Sequence, residues 1–214
     1  MTNTARTILL WAMAVVGAAS CALRFTLNMT GHPEHTPLWR LVEYLSYFTN
    51  TTALLATVVA ILALVRPASK LAQPGAVTAT AIYSAVVAVT YEWLLKSETH
   101  GLEFVSNLGL HQILPALAVL LWLATPKAGL TWRDPLAWLV YPAAYMLWIL
   151  GRGAVMHRYP YFFADVDKLG YPRTLLNGAA FLLVFYLLGL GAAAISNTKM
   201  FSFRFRPKTA SPEA

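Results

Sequence analysis

Six long apolar segments fill nearly all of this chain, and they constrain what it can fold into. They run over residues 7–27, 38–65, 76–97, 104–125, 135–157 and 174–196. A helix of roughly 20 residues crosses a hydrocarbon core of about 30 Å. In lipid every backbone N–H and C=O needs an internal partner, so such segments are expected to be helices. The expectation is an all-α polytopic membrane protein, with six transmembrane helices in one bundle. Residues 1–214 form a single integral membrane domain, and 197–214 form a cytoplasmic tail. Proline and glycine mark the joints, at Pro67, Pro74-Gly75, Pro126 and Pro135.

Composition agrees. Charged residues make up 12% of the chain, against about 25% in soluble domains. The net charge of +7 is spread between spans and over the tail, with no basic patch or nucleic-acid motif, so no nucleic-acid partner is expected. Cys21 is the one cysteine, which excludes an internal disulfide and a cysteine-based metal site. His32, His35, His100 and His157 fall in loops or at span ends, and no cofactor or metal is expected.

Lys and Arg set the orientation. Arg6, Arg66, Lys70, Lys127, Arg133, Lys199, Arg204, Arg206 and Lys208 lie on the side of the termini. Arg24, Arg40, Lys96, Arg152, Arg158, Lys168 and Arg173 lie on the other. The count of nine against seven points to both termini in the cytoplasm, and the expected location is the plasma membrane. The tail Phe201-Ser202-Phe203-Arg204-Phe205-Arg206 reads either as an interfacial anchor beside anionic headgroups or as a plain stop signal. Ala18-Ala19-Ser20-Cys21 faintly suggests a cleavage site. The apolar run continues to Leu27, longer than a signal core, so the first span is retained.

Polar groups within lipid are costly unless paired, which makes each a functional candidate. Counted from the span ends at about 1.5 Å per residue, Thr49 lies roughly 14–16 Å deep and His111 roughly 10 Å. Glu92 and Arg152 lie about 8 Å deep and Asn177 about 5 Å, all toward the side of the first, third and fifth connections. Their common depth suggests a cavity in the outer half of the bundle. In the second span Glu43, Ser46, Thr49 and Asn50 recur at steps of three or four and share a helix face, which Thr57 extends. The ordinary role of such hydroxyls is to bond back to their own helix. Asn50-Thr51-Thr52 spells a glycosylation acceptor that a position within the bilayer makes unusable. His111 is either a packing histidine or a general base; Glu92 and Arg152 are expected to pair or to line one opening.

These residues stand in an order that resembles a known family. The matching segments are Tyr47-Phe48-Thr49-Asn50, Tyr83 with Leu94-Leu95, Leu110-His111-Gln112-Ile113-Leu114-Pro115, Trp138 to Tyr145, and Tyr159-Pro160-Tyr161-Phe162-Phe163 followed by Asp165 and Gly170. Over residues 7 to 196 the chain resembles the bacterial predicted six-pass integral membrane proteins. That group is similar to the eukaryotic androgen-induced-gene-like and androgen-dependent-inhibitor proteins. The resemblance implies intramembrane hydrolysis of fatty-acid esters of hydroxy fatty acids, by a Thr nucleophile in one span and a His in another. The His falls on His111. The Thr falls on Thr49, and a shifted alignment of the aromatic positions would put Ser46 there.

The expected partners are therefore membrane lipids and a lipid-ester substrate. His111 would take the Thr49 proton, and Thr49 would attack the ester carbonyl. Asn50 or Gln112 would stabilise the oxyanion, and Asp165 or Glu92 would orient the imidazole. The chain has no Gly-x-Ser-x-Gly elbow. The aromatic loop from Tyr159 to Tyr171 reads as a lid or as an interfacial belt. The alternative function is a non-enzymatic protein that binds or passes a lipid or small amphiphile, against which stand the lack of an internal repeat and of obvious broken-helix pairs.

Overall fold

The structure, a computed structural model, describes residues 3–31, 33–126 and 129–196. His32, Lys127 and the whole tail with its Phe201–Arg206 segment lie outside the described residues. Every regular element among the described residues is helical, and six helices are long and apolar enough to cross a membrane. They are Thr4–Gly31, Phe48–Val65, Pro74–Leu95, Gly101–Ala124, Asp134–Met156 and Val166–Ser196. The chain is an all-α six-helix membrane bundle.

In chain order the helices are α1 (Asn3–Gly31), α2 (Pro37–Leu45), α3 (Phe48–Val65), α4 (Pro74–Thr90), α5 (Gly101–Leu108), α6 (Leu114–Ala124), α7 (Asp134–Trp138), α8 (Val140–Met156) and α9 (Val166–Ser196). Two cores hold them together. In the first, Leu10, Met13 and Ala14 of α1 meet Ala53, Ala56, Val59 and Ala60 of α3 and Leu114, Ala118 and Leu121 of α6. The alanines of α3 let these helix backbones approach closely, as small residues do in membrane bundles. In the second, Ile82, Tyr83 and Val86 of α4 pack on Phe185 and Ala192 of α9, with Phe48 and Tyr141 against them. Leu54, Val58 and Ile61 of α3, Leu147 and Val155 of α8, and Leu183 and Leu187 of α9 point outward and exposed. Lipid is the solvent that such surfaces suit.

The second apolar segment departs from expectation. It is not one helix over 38–65 but two, broken at Ser46 and Tyr47, with Tyr47 extended at φ −93° and ψ 124°. Thr36 caps α2 by accepting from the Trp39 N–H at 3.2 Å, and Pro37 follows at the first helical position. A break within a membrane protein frees backbone groups that need partners. Here side chains supply them. Asn50 Nδ2 donates to the Tyr44 carbonyl at 2.8 Å, Tyr145 Oη to the Ser46 carbonyl at 2.7 Å, and the Phe48 N–H to Tyr161 Oη at 3.0 Å. Thr49 is therefore the second residue of α3. The depth of 14–16 Å, which assumed an unbroken helix, does not hold.

The sixth span also begins earlier than expected, at Val166 instead of 174. Asp165 starts it, with its carboxylate accepting from the Lys168 N–H at 3.3 Å. Gly170, at φ 72°, then kinks the helix in a conformation that side-chain-bearing residues avoid.

Arg152 of α8 bonds to the Glu43 carboxylate of α2, and both side chains are buried. The expected pairing of Arg152 with Glu92 is thereby overturned: Glu92 instead bonds Lys96 at 2.6 Å and Gln112 at 2.8 Å. Removing one partner leaves a buried charge unpaired, which typically costs about 3–5 kcal/mol. Arg152→Met is expected to destabilise the protein by about that amount. Glu43→Leu added to it should recover most of the loss, read as thermal unfolding of the purified protein in detergent.

Candidate functional site

Two π-helical turns flank the site, Tyr91–Leu95 at the end of the third span and Gly109–Ile113 within the fourth. A π turn adds a residue to one turn and is frequent at functional sites. Pro115 gives a local cause for the second one. It lacks an N–H, and its ring crowds the carbonyl four residues back, on His111. The widened turn closes instead from the Leu114 N–H to the Gly109 carbonyl.

That turn holds His111. Its Nδ1 lies 3.1 Å from the Asn107 carbonyl oxygen. A carbonyl only accepts, so Nδ1 carries the proton and Nε2 has a free lone pair. The ring stacks on Tyr91, with centroids 3.8 Å apart and planes at 16°. The imidazole is therefore oriented by a backbone carbonyl and an aromatic face. Neither expected carboxylate bonds it: Asp165 pairs with Lys168 at 3.3 Å, and Glu92 is taken by Lys96 and Gln112.

The hydroxyls of the second apolar segment divide into two kinds. Ser46 Oγ donates to the Val42 carbonyl at 2.7 Å, Thr51 Oγ1 to the Phe48 carbonyl at 3.2 Å, and Thr57 Oγ1 to the Ala53 carbonyl at 2.7 Å. These are the ordinary back-bonds of hydroxyls in helices. Thr49 is different. It is buried, and its hydroxyl and amide lie beside the Tyr161 phenol. Burial pushes that phenol up to about 12, against the pull of Thr49, the Phe48 amide and Tyr145.

Thr49 also stands between two cavities. One is half polar, encloses about 720 Å³ including its open rim, and is lined by Arg24, Asn50, Tyr91, Glu103, Asn107 and His111 among others. The other is a narrow apolar crevice walled by Phe48, Val86, Met146, Phe181, Leu182 and Phe185. Thr49, Leu95 and Tyr161 line both and form the wall between them. Ser46, wholly buried, lines neither. Ser97, Thr99 and Pro160 at the polar rim put this cavity at the end of the bundle that carries the third and fifth connections.

Arg24, Tyr47 and Glu103 also line a neighbouring pocket together with Asn28, Glu43 and Arg158. Arg24 lies 3.7 Å from Glu103, and Arg158 sits over the Trp39 ring at 5.0 Å. Burial and the Glu43 carboxylate push the Tyr47 phenol up, opposed by Arg24, Arg152 and Arg158. Among the described residues no three His, Cys, Asp or Glu side chains converge as a metal site would require.

Of the expected site residues, Thr49, Asn50 and His111 thus share one cavity. Gln112 is exposed and turned to Glu92, away from an oxyanion role, and Arg152 belongs to the ion pair with α2. Asn177 donates to the Phe163 carbonyl at 2.8 Å and fixes the aromatic loop. Sequence reasoning missed Tyr161 and Tyr145 as individual residues. Their signal was a plain aromatic richness that membrane interfaces also produce.

The loop carrying Tyr161 rests on a close approach: a Cβ on Gly153 would lie 1.9 Å from the Tyr159 ring. Gly153→Ala is accordingly expected to cost about 1–3 kcal/mol through overpacking, measured as a lowered unfolding midpoint in detergent. No family model matches the chain, and no curated protein or solved structure matches it either.

Proposed function

We propose that this protein is an intramembrane hydrolase of lipid esters, with Thr49 as the nucleophile and His111 as its base. One observation carries the proposal: Thr49 stands in the wall between a polar cavity that contains His111 and an apolar crevice. An ester lying across that wall would have its acyl chain in the crevice and its polar part beside Arg24, Asn50 and Asn107. The resemblance to the intramembrane hydrolases of fatty-acid esters of hydroxy fatty acids adds the same histidine, and the same threonine in the unshifted alignment.

The chemistry is acyl transfer to threonine. His111 Nε2 takes the proton of Thr49 Oγ1 as that oxygen attacks the ester carbonyl carbon. The tetrahedral intermediate collapses, the ester C–O bond breaks, and the alcohol leaves with the proton returned by His111. Water then enters through the polar cavity, gives a proton to His111 and attacks the Thr49 ester. The fatty acid departs and Thr49 regains its hydrogen. Asn50 has one amide hydrogen committed to the Tyr44 carbonyl, and its side chain faces the same cavity. The Lys and Arg distribution supports a plasma-membrane location with both termini in the cytoplasm.

A second reading, a protein that binds or passes a lipid without cleaving it, is favoured by the apolar crevice, whose wall is complete without an acid or base. Purified protein in detergent separates the two. With long-chain esters of hydroxy fatty acids and simple acyl esters, Thr49→Val and His111→Ala are each expected to lower turnover at least ~10³-fold, as removal of triad members does. Ser46→Ala is expected to retain turnover. Retention in Thr49→Val would remove Thr49 from the mechanism. A wild type that binds these esters and cleaves none would make it a lipid-binding protein.

A further inference from the structure

Tyr161 is the one described residue outside α3 and the third span that lines both cavities. Its loop is pinned at both ends, by Tyr159 against Gly153 and by Asn177 at the Phe163 carbonyl. Its ring is stacked on Phe163 at 5.1 Å and meets Tyr47 edge-on at 6.0 Å. Its oxygen accepts the Phe48 N–H at 3.0 Å, which fixes where the hydroxyl can sit.

The direction of the phenolic proton follows from the neighbours. The Phe48 amide occupies one lone pair of Tyr161 Oη, so the O–H is aimed elsewhere. Tyr145 has already given its own proton to the Ser46 carbonyl at 2.7 Å and can only accept from Tyr161. What remains around Tyr161 is the Tyr145 oxygen and the Thr49 hydroxyl. No backbone carbonyl takes this proton among the described hydrogen bonds. An ester carbonyl brought up to Thr49 Oγ1 would compete with these two oxygens for a rigidly held donor.

We propose that Tyr161 is a third catalytic residue, which donates its phenolic hydrogen bond to the carbonyl oxygen as Thr49 attacks. The inference rests on the Thr49–His111 hydrolase reading. As the Oγ1–C bond forms, the carbonyl π pair moves to oxygen, and the Tyr161 O–H···O bond strengthens with the negative charge. The Tyr161 proton stays on the phenol throughout; the travelling proton is that of Thr49, carried by His111. Burial holds the phenol in its neutral, donating form at any physiological pH. A buried hydroxyl facing developing charge is the arrangement by which oxyanions are stabilised in acyl transfer.

Tyr161→Phe keeps the ring and removes the donor together with the acceptor of the Phe48 N–H, so its unfolding midpoint is measured beside its turnover. Steady-state hydrolysis by the purified full chain is expected to show kcat lowered about 10²–10³-fold, the usual cost of one oxyanion donor, with KM nearly unchanged. Affinity for a long-chain trifluoromethyl ketone, which forms a tetrahedral adduct with a nucleophile, should fall by the same factor. Affinity for the non-cleavable ether of the same chain length should not change. A residue that merely supports the loop would weaken the ether equally and raise KM, and that pattern would overturn the inference. Wild-type turnover in Tyr161→Phe beside an inactive Thr49→Val would overturn it too, while leaving the hydrolase reading intact. An inert wild type would remove both. Where Tyr161→Phe does not fold, replacing Tyr161 by fluorotyrosines keeps the shape. The rate should then rise with phenol acidity at pH values where the phenol stays protonated, and a flat response would refute the donor role.

Discussion

A helix interrupted where it is buried in protein has to find hydrogen-bond partners, and the interruption between α2 and α3 is where this fold meets that demand. Freed carbonyls at Tyr44 and Ser46 and the freed N–H of Phe48 are taken by Asn50, Tyr145 and Tyr161. Leaving any of them buried and unpaired would cost about 1–3 kcal/mol. The three partners come from α3 itself, α8 and the loop before α9, so satisfying one broken helix fixes two other parts of the chain against it. Tyr141 adds to the same seam by donating to Thr51 at 2.8 Å and meeting Thr52 at 3.0 Å. The candidate site is the space those constraints leave open.

The fourth span reaches the same space by another device. Pro115 cannot close an ordinary turn onto His111, and the π turn that accommodates it turns the imidazole toward Tyr91. A matching π turn at Tyr91–Leu95 brings Glu92 to Gln112 and so ties the third span to the fourth beside the histidine. The buried Glu43–Arg152 pair fastens α2 to α8, and Tyr44 adds a bond to the Cys21 carbonyl of α1 at 3.3 Å. Together these contacts hold the two halves of the site in register.

Much of this was legible in the sequence because membrane physics leaves few options. Apolar length fixed the six spans, and the cost of buried polar groups singled out Thr49, Asn50 and His111, which share a cavity. Expectation failed where tertiary partners decide. Nothing in Leu45-Ser46-Tyr47-Phe48 announces a break, because the groups that stabilise it lie about a hundred residues away. The partner of Arg152 was misassigned for the same reason: similar estimated depths suggested Glu92, but helix rotation brings Glu43 instead. The start of the sixth span was hidden because Val166 to Gly170 is too polar to read as membrane, though Asp165 supplies a recognisable cap. Thr49 and Ser46 were inseparable by pattern and are separated by contact, since one hydroxyl bonds its own helix and the other faces Tyr161.

The wall made by Thr49, Leu95 and Tyr161 sorts matter by polarity, with greasy surface on one side and charged or amide groups on the other. A molecule that fills both compartments has to be amphipathic and can lie in only one direction. On the proposed function, chain length would be measured by Phe181, Phe185 and Met146, and head polarity by Arg24, Glu103 and Asn107, on separate helices with separate packing. Two such selectivities would be free to diverge independently: a larger crevice would admit longer tails without altering the heads accepted, and a recharged polar cavity would do the reverse.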